Sequence, residues 1–417
     1  MAERNNRTVE ARGSIPLTST RMADTTRPLR SVEGAAVTLA NWRVAPHNRW
    51  GLAHMREVVP SANVARDPDR VSPLRVDVHD GLADLEFAVD GRRRSVRGWM
   101  AESDGDGLLV LHDGVIVHEE YASTLTPVAT HLLFSVTKSV TGVLAGLVVD
   151  RCGLSVDARV GEIVPEVASS GFGDATVRDL LDMRVSIDYD EIYDDSTGMM
   201  ARYREAIGWL PPTDPANPPD LHGYLASMGR RDGRHGGAFR YLSPISDMLG
   251  WVCERAAGRP YAEMLSEWIW APMGAWCSAD IAVDRLGAPR TAGGLAATLR
   301  DMGRFTEMVR NGGVADGRQV VPASWIDDLL TGGDPEAWRG NEYESMLPPG
   351  GRYRSQWYLT DARGSQAVAV GIHGQWLWFD RDRAVTIVKV SSRPDASNDW
   401  SDAVEQAMFA AIASAVA

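Results

Sequence analysis

Strand-forming sequence is concentrated toward the two ends of this chain, and that placement limits the folds open to it. Residues 108–112 and 115–121 are apolar runs on either side of Asp113-Gly114, a dipeptide suited to closing a two-residue hairpin. Four further strand-like runs, 355–360, 366–372, 375–379 and 384–391, lie late in the chain, ahead of an amphipathic helical pattern over 399–416. The middle, 155–290, reads as helices and loops, with a proline-rich exposed loop at 211–219. Residues 61–97 are polar and predict at most a short helix near 82–87. Strands early and late with helices between them predict an α+β architecture: one antiparallel sheet built from both ends, flanked by helices, with a helical lobe inserted. On this reading 31–154 and 291–417 form a discontinuous α/β lobe, 155–290 a mainly helical lobe, and 1–30 a disordered polar tail.

Composition excludes several classes of function. The net charge of −13 disfavours nucleic acid and anionic membranes as partners. No apolar run reaches the roughly 18 residues that a membrane span requires. The first residues lack the apolar core of a signal peptide, so a cytoplasmic location is expected, and Met22 is an alternative start. Cys152, Cys253 and Cys277 are odd in number and widely spaced, and read as small core residues rather than a disulfide framework. His118-Glu119-Glu120 opens like a zinc-protease motif, but Ala122 stands where its second histidine belongs. Neither a metal nor a cofactor is expected.

The sequence contains only two lysines, Lys138 and Lys389, among 43 basic Lys and Arg residues. Arginine holds its proton in proteins, whereas a lysine can release one when its surroundings lower its pKa. A lysine in so arginine-rich a chain is therefore a candidate for chemistry that arginine cannot perform. Lys138 lies three residues after Ser135, at the start of a helical apolar pattern that ends near Cys152-Gly153. That spacing puts both side chains on one face. The helix N-terminus leaves backbone N–H groups unpaired and favours an anion. A serine there can attack a carbonyl while Lys138 accepts its proton. The plainer alternative is a capping serine beside a surface lysine.

Further segments occur in order with this one: Asn48-Arg49-Trp50, residues 131–139, Leu181-Asp182-Met183 with 186–189, Tyr241-x-Ser243, and 371–375. Together, from about residue 40 to the end, they resemble the penicillin-recognising serine hydrolases: class C β-lactamases, D,D-peptidases and their esterase relatives. Within that family they are most similar to the branch of amidases that cleave linear 6-aminohexanoate (nylon) oligomers. The resemblance implies a β-lactamase/transpeptidase-like fold, a catalytic set of Ser135, Lys138 and Tyr241, and a homodimer. It also implies oxyanion donors at the backbone N–H groups of Ser135 and Ile372, with Trp376 replacing Ile372 if His373-Gly374 takes the place of the family glycine. Tyr193 would contact the substrate amide, and Ser243 would lie at the substrate. His373 would either shape the pocket or serve a structural role. Ala292 and Ser401 stand where the nylon-oligomer enzymes line their pocket. The family's Lys-Thr-Gly motif is missing, because Ala369 and Val370 precede Gly371. A binding group for the carboxylate of β-lactams is thereby lost, and penicillins are not expected as substrates.

The acidic run 188–195 has three readings: a solvated loop, a loop that attracts an ammonium-bearing substrate, or a calcium site. The expected activity is hydrolysis of a small linear amide or ester through an acyl-enzyme on Ser135. Two alternatives stand beside it, a carboxylesterase with little amidase activity and a non-catalytic peptide- or cell-wall-binding module of the same fold.

Overall fold

The computed structural model describes residues 30–32, 34–122, 125–193 and 195–417, so the expectations for the first 29 residues, including a start at Met22, lie outside the described residues. Of the described residues, those from Arg30 to Val37 belong to one unit, in which Ser31–Val32 pairs antiparallel with Ala35–Ala36. Thr38 to Ala417 form the other.

The larger unit has the α+β organisation expected. Among the described residues, its main sheet has eight strands in the order Arg352–Arg354, Trp357–Leu359, Gln366–Gly371, Gln375–Asp380, Val385–Ser391, Gly105–His112, Val115–Tyr121 and Arg75–Val76. Both ends of the chain meet where Val385–Ser391 pairs antiparallel with Gly105–His112. Asp113 and Gly114 close the hairpin with φ of 47° and 73°, both positive as a type I′ turn requires. One strand departs from the expected antiparallel order: Arg75–Val76 runs parallel to Val115 and Ile116.

Helices cover both faces of this sheet, which is why its central strands read as unbroken apolar runs. Leu108, Leu109, Val110 and Leu111 are all 0% exposed. Leu109 faces the helix Leu299–Arg310, whose Gly303 permits the close approach. On the other face Trp376 and Trp378 pack on Phe409 of the helix Asp399–Val416, with ring centroids 5.7 and 6.3 Å apart.

The helix Val136–Cys152 begins and ends where its sequence pattern predicts, stopping at Gly153 in the left-handed conformation. It is buried continuously from Val136 to Val148. Gly142 lets it approach the backbone of Ser355, because a Cβ there would lie 2.1 Å from the Ser355 carbonyl oxygen. Gly142→Ala is therefore expected to lower unfolding stability by about 1–3 kcal/mol through overpacking. A urea midpoint equal to wild type would show that the helix can move away at no cost.

A second sheet was not legible in the sequence. It runs Ser61–Val64, Ala279–Ala282, Leu295–Ala297 and His131–Leu132. Its strands are two to four residues long, too short for a period to show. The polar region 61–97 is likewise richer in structure than expected. It contains the hairpin of Glu86–Val89 with Arg92–Ser95 and the start of the helix Val96–Glu102, besides 3₁₀ turns at Pro68–Arg70 and Leu82–Asp84. The proline-rich loop is exposed as expected. Of the cysteines only Cys253 is a core residue. Cys277 is partly buried, and Cys152 is exposed in the last turn of its helix.

Candidate active site

The small sheet sets up the turn that presents Ser135. After the strand His131–Leu132, the Leu133 N–H donates to the Leu295 carbonyl at 2.9 Å. Phe134 then adopts a φ of 45°, a region that a bulky side chain seldom occupies and that costs free energy. Its ring is wedged between His373 at 5.1 Å and Trp209 at 6.0 Å, which holds the turn in place. Ser135 emerges as the first residue of the buried helix, in the N-cap position.

Lys138 is 1% exposed. Its Nζ lies 2.9 Å from Ser135 Oγ, 3.1 Å from Ser243 Oγ and 2.7 Å from the Ala292 carbonyl oxygen. Burial pulls its pKa down to about 7; Arg290 adds to the fall, while Glu191 and Asp247 oppose it. A neutral lysine has two N–H donors and one lone pair. With the donors on Ala292 and Ser243, the lone pair faces the Ser135 hydroxyl, as a general base must.

Tyr241 closes the other side. Its ring centroid lies 4.9 Å from Lys138 Nζ, and it shares the wall of one cleft with Ser135 and Tyr193. Burial, then the charge of Glu191, push the phenol well above its ordinary range. Tyr241 is therefore a neutral phenol that can pass a proton, and Lys138 is the group able to take one.

Two supports hold Lys138 in place. Ser243 opens the helix Ser243–Ala257, and its N–H and hydroxyl both donate to Glu191, at 2.8 and 2.6 Å. Ser243, expected at the substrate, thus links Lys138 to a carboxylate as well as lining a cleft. One turn on, buried Asp247 pairs with Arg290 and accepts the Ala292 N–H at 2.7 Å. That bond fixes the carbonyl on which Lys138 rests. Ala292, anticipated only as pocket lining, contributes through its backbone.

Two small adjoining clefts, of about 50 and 30 Å³, share Ser135, Tyr193 and Ile372. Neither the Ser135 N–H nor the Ile372 N–H has an acceptor among the described residues. Two unpaired donors beside the serine are what an oxyanion site needs. Trp376, the alternative to Ile372, sits within the strand Gln375–Asp380 between Val370 and Lys389, buried in the sheet and away from the clefts. His373 lines neither cleft. It is buried, its Nδ1 lies 2.7 Å from the Arg393 carbonyl oxygen, and its own N–H donates to Ala396. Burial lowers its pKa to about 4. The structural role is the one its contacts support. Ser401 is also buried off the clefts, and its neighbour Asp402 reaches the larger one instead.

The acidic run is not a uniformly solvated loop. Glu191 points inward to Ser243, Asp190 pairs with Arg231 at 2.7 Å, and Asp195 accepts the Thr197 and Gly198 N–H groups ahead of the helix Met199–Ala206. Sequence reasoning also missed the arginines on the wall of the smaller cleft, Arg43, Arg204 and Arg290. Nothing in their local sequence distinguishes them from the many surface arginines.

A Ser-x-x-Lys serine at a buried helix N-terminus, a lysine near neutrality and paired free amides define a serine hydrolase site. The β-lactamase family model matches residues 93–411, and the chain belongs to that family. It is 37% identical over 363 residues to the 6-aminohexanoate-dimer hydrolase of Paenarthrobacter ureafaciens, covering 86% of this chain and 88% of that one. A solved Bacillus anthracis structure, provisionally assigned as a 6-aminohexanoate-dimer hydrolase, superposes with a TM-score of 0.83 at 25% identity, over 91% of this chain and 97% of the other. A family VIII carboxylesterase shares the fold with a TM-score of 0.56 at 16% identity, over 76% and 96% of the two chains. The chain is thus a serine hydrolase, which sets aside a non-catalytic module.

Proposed function

We propose that Ser135 is the nucleophile, Lys138 the general base and Tyr241 the proton relay in hydrolysis of small linear amides or esters, including those built like 6-aminohexanoate oligomers. The observation that carries this reading is the 2.9 Å contact between Lys138 Nζ and Ser135 Oγ inside a buried site. Ser135 Oγ adds to the carbonyl carbon as Lys138 takes its proton. The carbonyl oxygen, now an anion, is held by the Ser135 and Ile372 N–H groups. Tyr241 hands a proton to the departing amine or alkoxide, leaving an acyl-serine. Water then attacks the acyl carbonyl, and the same groups work in reverse to release the acid. Tyr193, beside Tyr241 on one cleft and lining both, is placed to contact the scissile amide. The same reading places the enzyme in the cytoplasm, where an exposed unpaired thiol such as Cys152 is kept reduced.

Intact mass after treatment with a small fluorophosphonate tests the nucleophile. Wild type is expected to gain one adduct and Ser135→Ala none; an equal adduct on the variant would place the nucleophile elsewhere. Matched ester and amide substrates then separate the amidase from the carboxylesterase with little amidase activity. Cleavage of the amide within the range of the ester supports the former.

A further inference from the structure

The two edges of the main sheet differ. At one end the strand Arg352–Arg354 is covered: Arg352 and Tyr353 are buried, Phe239 lies against Tyr353 at 4.9 Å, and Arg354 pairs with Asp182 at 2.7 Å. At the other end Arg75–Val76 has the strand Val115–Tyr121 on one side and, among the described residues, no strand on the other. The chain keeps bonding to that neighbour past Val76, since the Asp77 and His79 N–H groups donate to the Ile116 and Val117 carbonyls at 2.9 and 2.8 Å. Alternate residues of a strand aim their backbone groups to opposite sides, so Leu74, Val76 and Val78 turn theirs away from the sheet. The N–H and C=O of Leu74 and Val78 have no backbone partner among the described residues. The side chains are open as well. Val76 is 55% exposed and Val78 57%, and Arg75 and Asp77 are exposed. Neither Arg75 nor Asp77 forms an ion pair or a side-chain hydrogen bond among the described residues. Exposed Val71 and Trp276 extend the apolar area at one end, where the Ser72 N–H donates to the Gly274 carbonyl at 3.0 Å.

An open edge is a template for another strand, and proteins commonly blunt one with charge. Here the blunting is selective. Arg75 and Asp77 carry opposite charges two residues apart and so share one face, with Leu74, Val76 and Val78 on the other. Against an unrelated strand these charges meet no fixed partner. Against an antiparallel copy of the same segment, with Val76 opposite Val76, Arg75 stands opposite Asp77 twice and Leu74 opposite Val78 twice. Opposite charges and apolar side chains placed directly across an antiparallel pair both stabilise it. The backbone fits the same register, because the residues whose N–H and C=O turn outward are the ones that face each other.

We propose that a second copy of this chain docks on this edge, the two 74–78 segments pairing antiparallel about a two-fold axis at Val76. The two copies then share one continuous sheet, and the same patch serves both, as a closed two-fold assembly requires. The surface and its register go beyond the homodimer that the family resemblance implies, and they do not depend on the assignment of Ser135.

Light scattering on the full-length protein at micromolar concentration is expected to give the mass of a dimer. Val76→Lys sets two ammonium groups face to face at the axis and is expected to weaken association about 10-fold or more. Arg75→Asp and Asp77→Arg each turn both opposite-charge pairs into like-charge pairs, and each is expected to weaken it by a similar factor. Mixed in equal amounts, these two variants supply each other's missing charge, and native mass spectrometry is expected to show the mixed dimer in excess over either homodimer. The double variant Arg75→Asp with Asp77→Arg restores the pairs and is expected to dimerise as wild type does. A monomeric wild type overturns the inference. So does a dimer that all three single variants leave intact, which would place the interface elsewhere, and so does a mixture with no preference for the mixed dimer. The three side chains are exposed and line neither cleft, so the variants are expected to keep the fold, which circular dichroism and urea unfolding check. Should Val76→Lys fail to fold, the charge variants and their mixture still decide.

Discussion

Lys138→Met is expected to lower kcat/KM by about 1,000-fold near neutral pH, within the range that a positioned general base contributes. Lys138→Arg should do no better despite keeping the charge, because a guanidinium does not give up its proton. The wild-type profile supplies the sign. The base must be unprotonated, and burial sets the Lys138 pKa at about 7. Activity should therefore rise as pH increases through about 7 and level off above it. Tyr241 cannot produce this limb, since its phenol lies well above the ordinary range and stays neutral throughout. A rising limb centred near the ordinary lysine value of 10.5, or an active Lys138→Arg enzyme, would exclude Lys138 as the base. Circular dichroism of the variants distinguishes a lost base from a lost fold.

Lys389→Met is expected to destabilise the protein by about 3–5 kcal/mol, because it leaves a buried carboxylate without its partner. Lys389 projects from the central strand Val385–Ser391 and meets Glu405 of the helix Asp399–Val416 at 2.7 Å, and both side chains are 0% exposed. The double variant Lys389→Met with Glu405→Leu should recover most of the loss, since two apolar groups of similar size can replace a buried pair at little cost. Urea unfolding of wild type, both single variants and the double gives the coupling directly. Equal stability of Lys389→Met and the double variant would mean that Glu405 finds another partner.

These two lysines show how far the sequence could be read. Their scarcity among arginines marked both as special, and both proved to be buried, but for different reasons. Lys138 lies where a serine and two acceptors converge; Lys389 lies on the sheet under a helix. Spacing to Ser135 separated them, and spacing is a local property. The helix Val136–Cys152 and the Asp113-Gly114 hairpin were legible on the same grounds, since their patterns repeat over many residues or demand particular φ values. The small sheet was not, because its pairings join segments far apart and none of its strands is long enough to alternate visibly. The arginine-lined cleft was hidden for another reason: burial of a charged group is decided by what surrounds it in space. Glu191 likewise stood unremarked in an acidic run, although its contact with Ser243 sets it apart from its neighbours.

The distribution of these parts along the chain has a consequence for synthesis. Ser135 and Lys138 leave the ribosome early, Ala292 much later, and Ile372 only near the end, while the sheet under the site closes by pairing its last long strand with an early hairpin. No N-terminal fragment can contain a working site. On the roles proposed for Ser135 and Lys138, a nascent chain carries its nucleophile unarmed, its lysine still in water and fully charged, until the final strands dock and exclude solvent. Catalysis switches on with completion of the fold, so turnover itself reports that folding has finished, and the growing chain is spared an active hydrolase while it is still exposed.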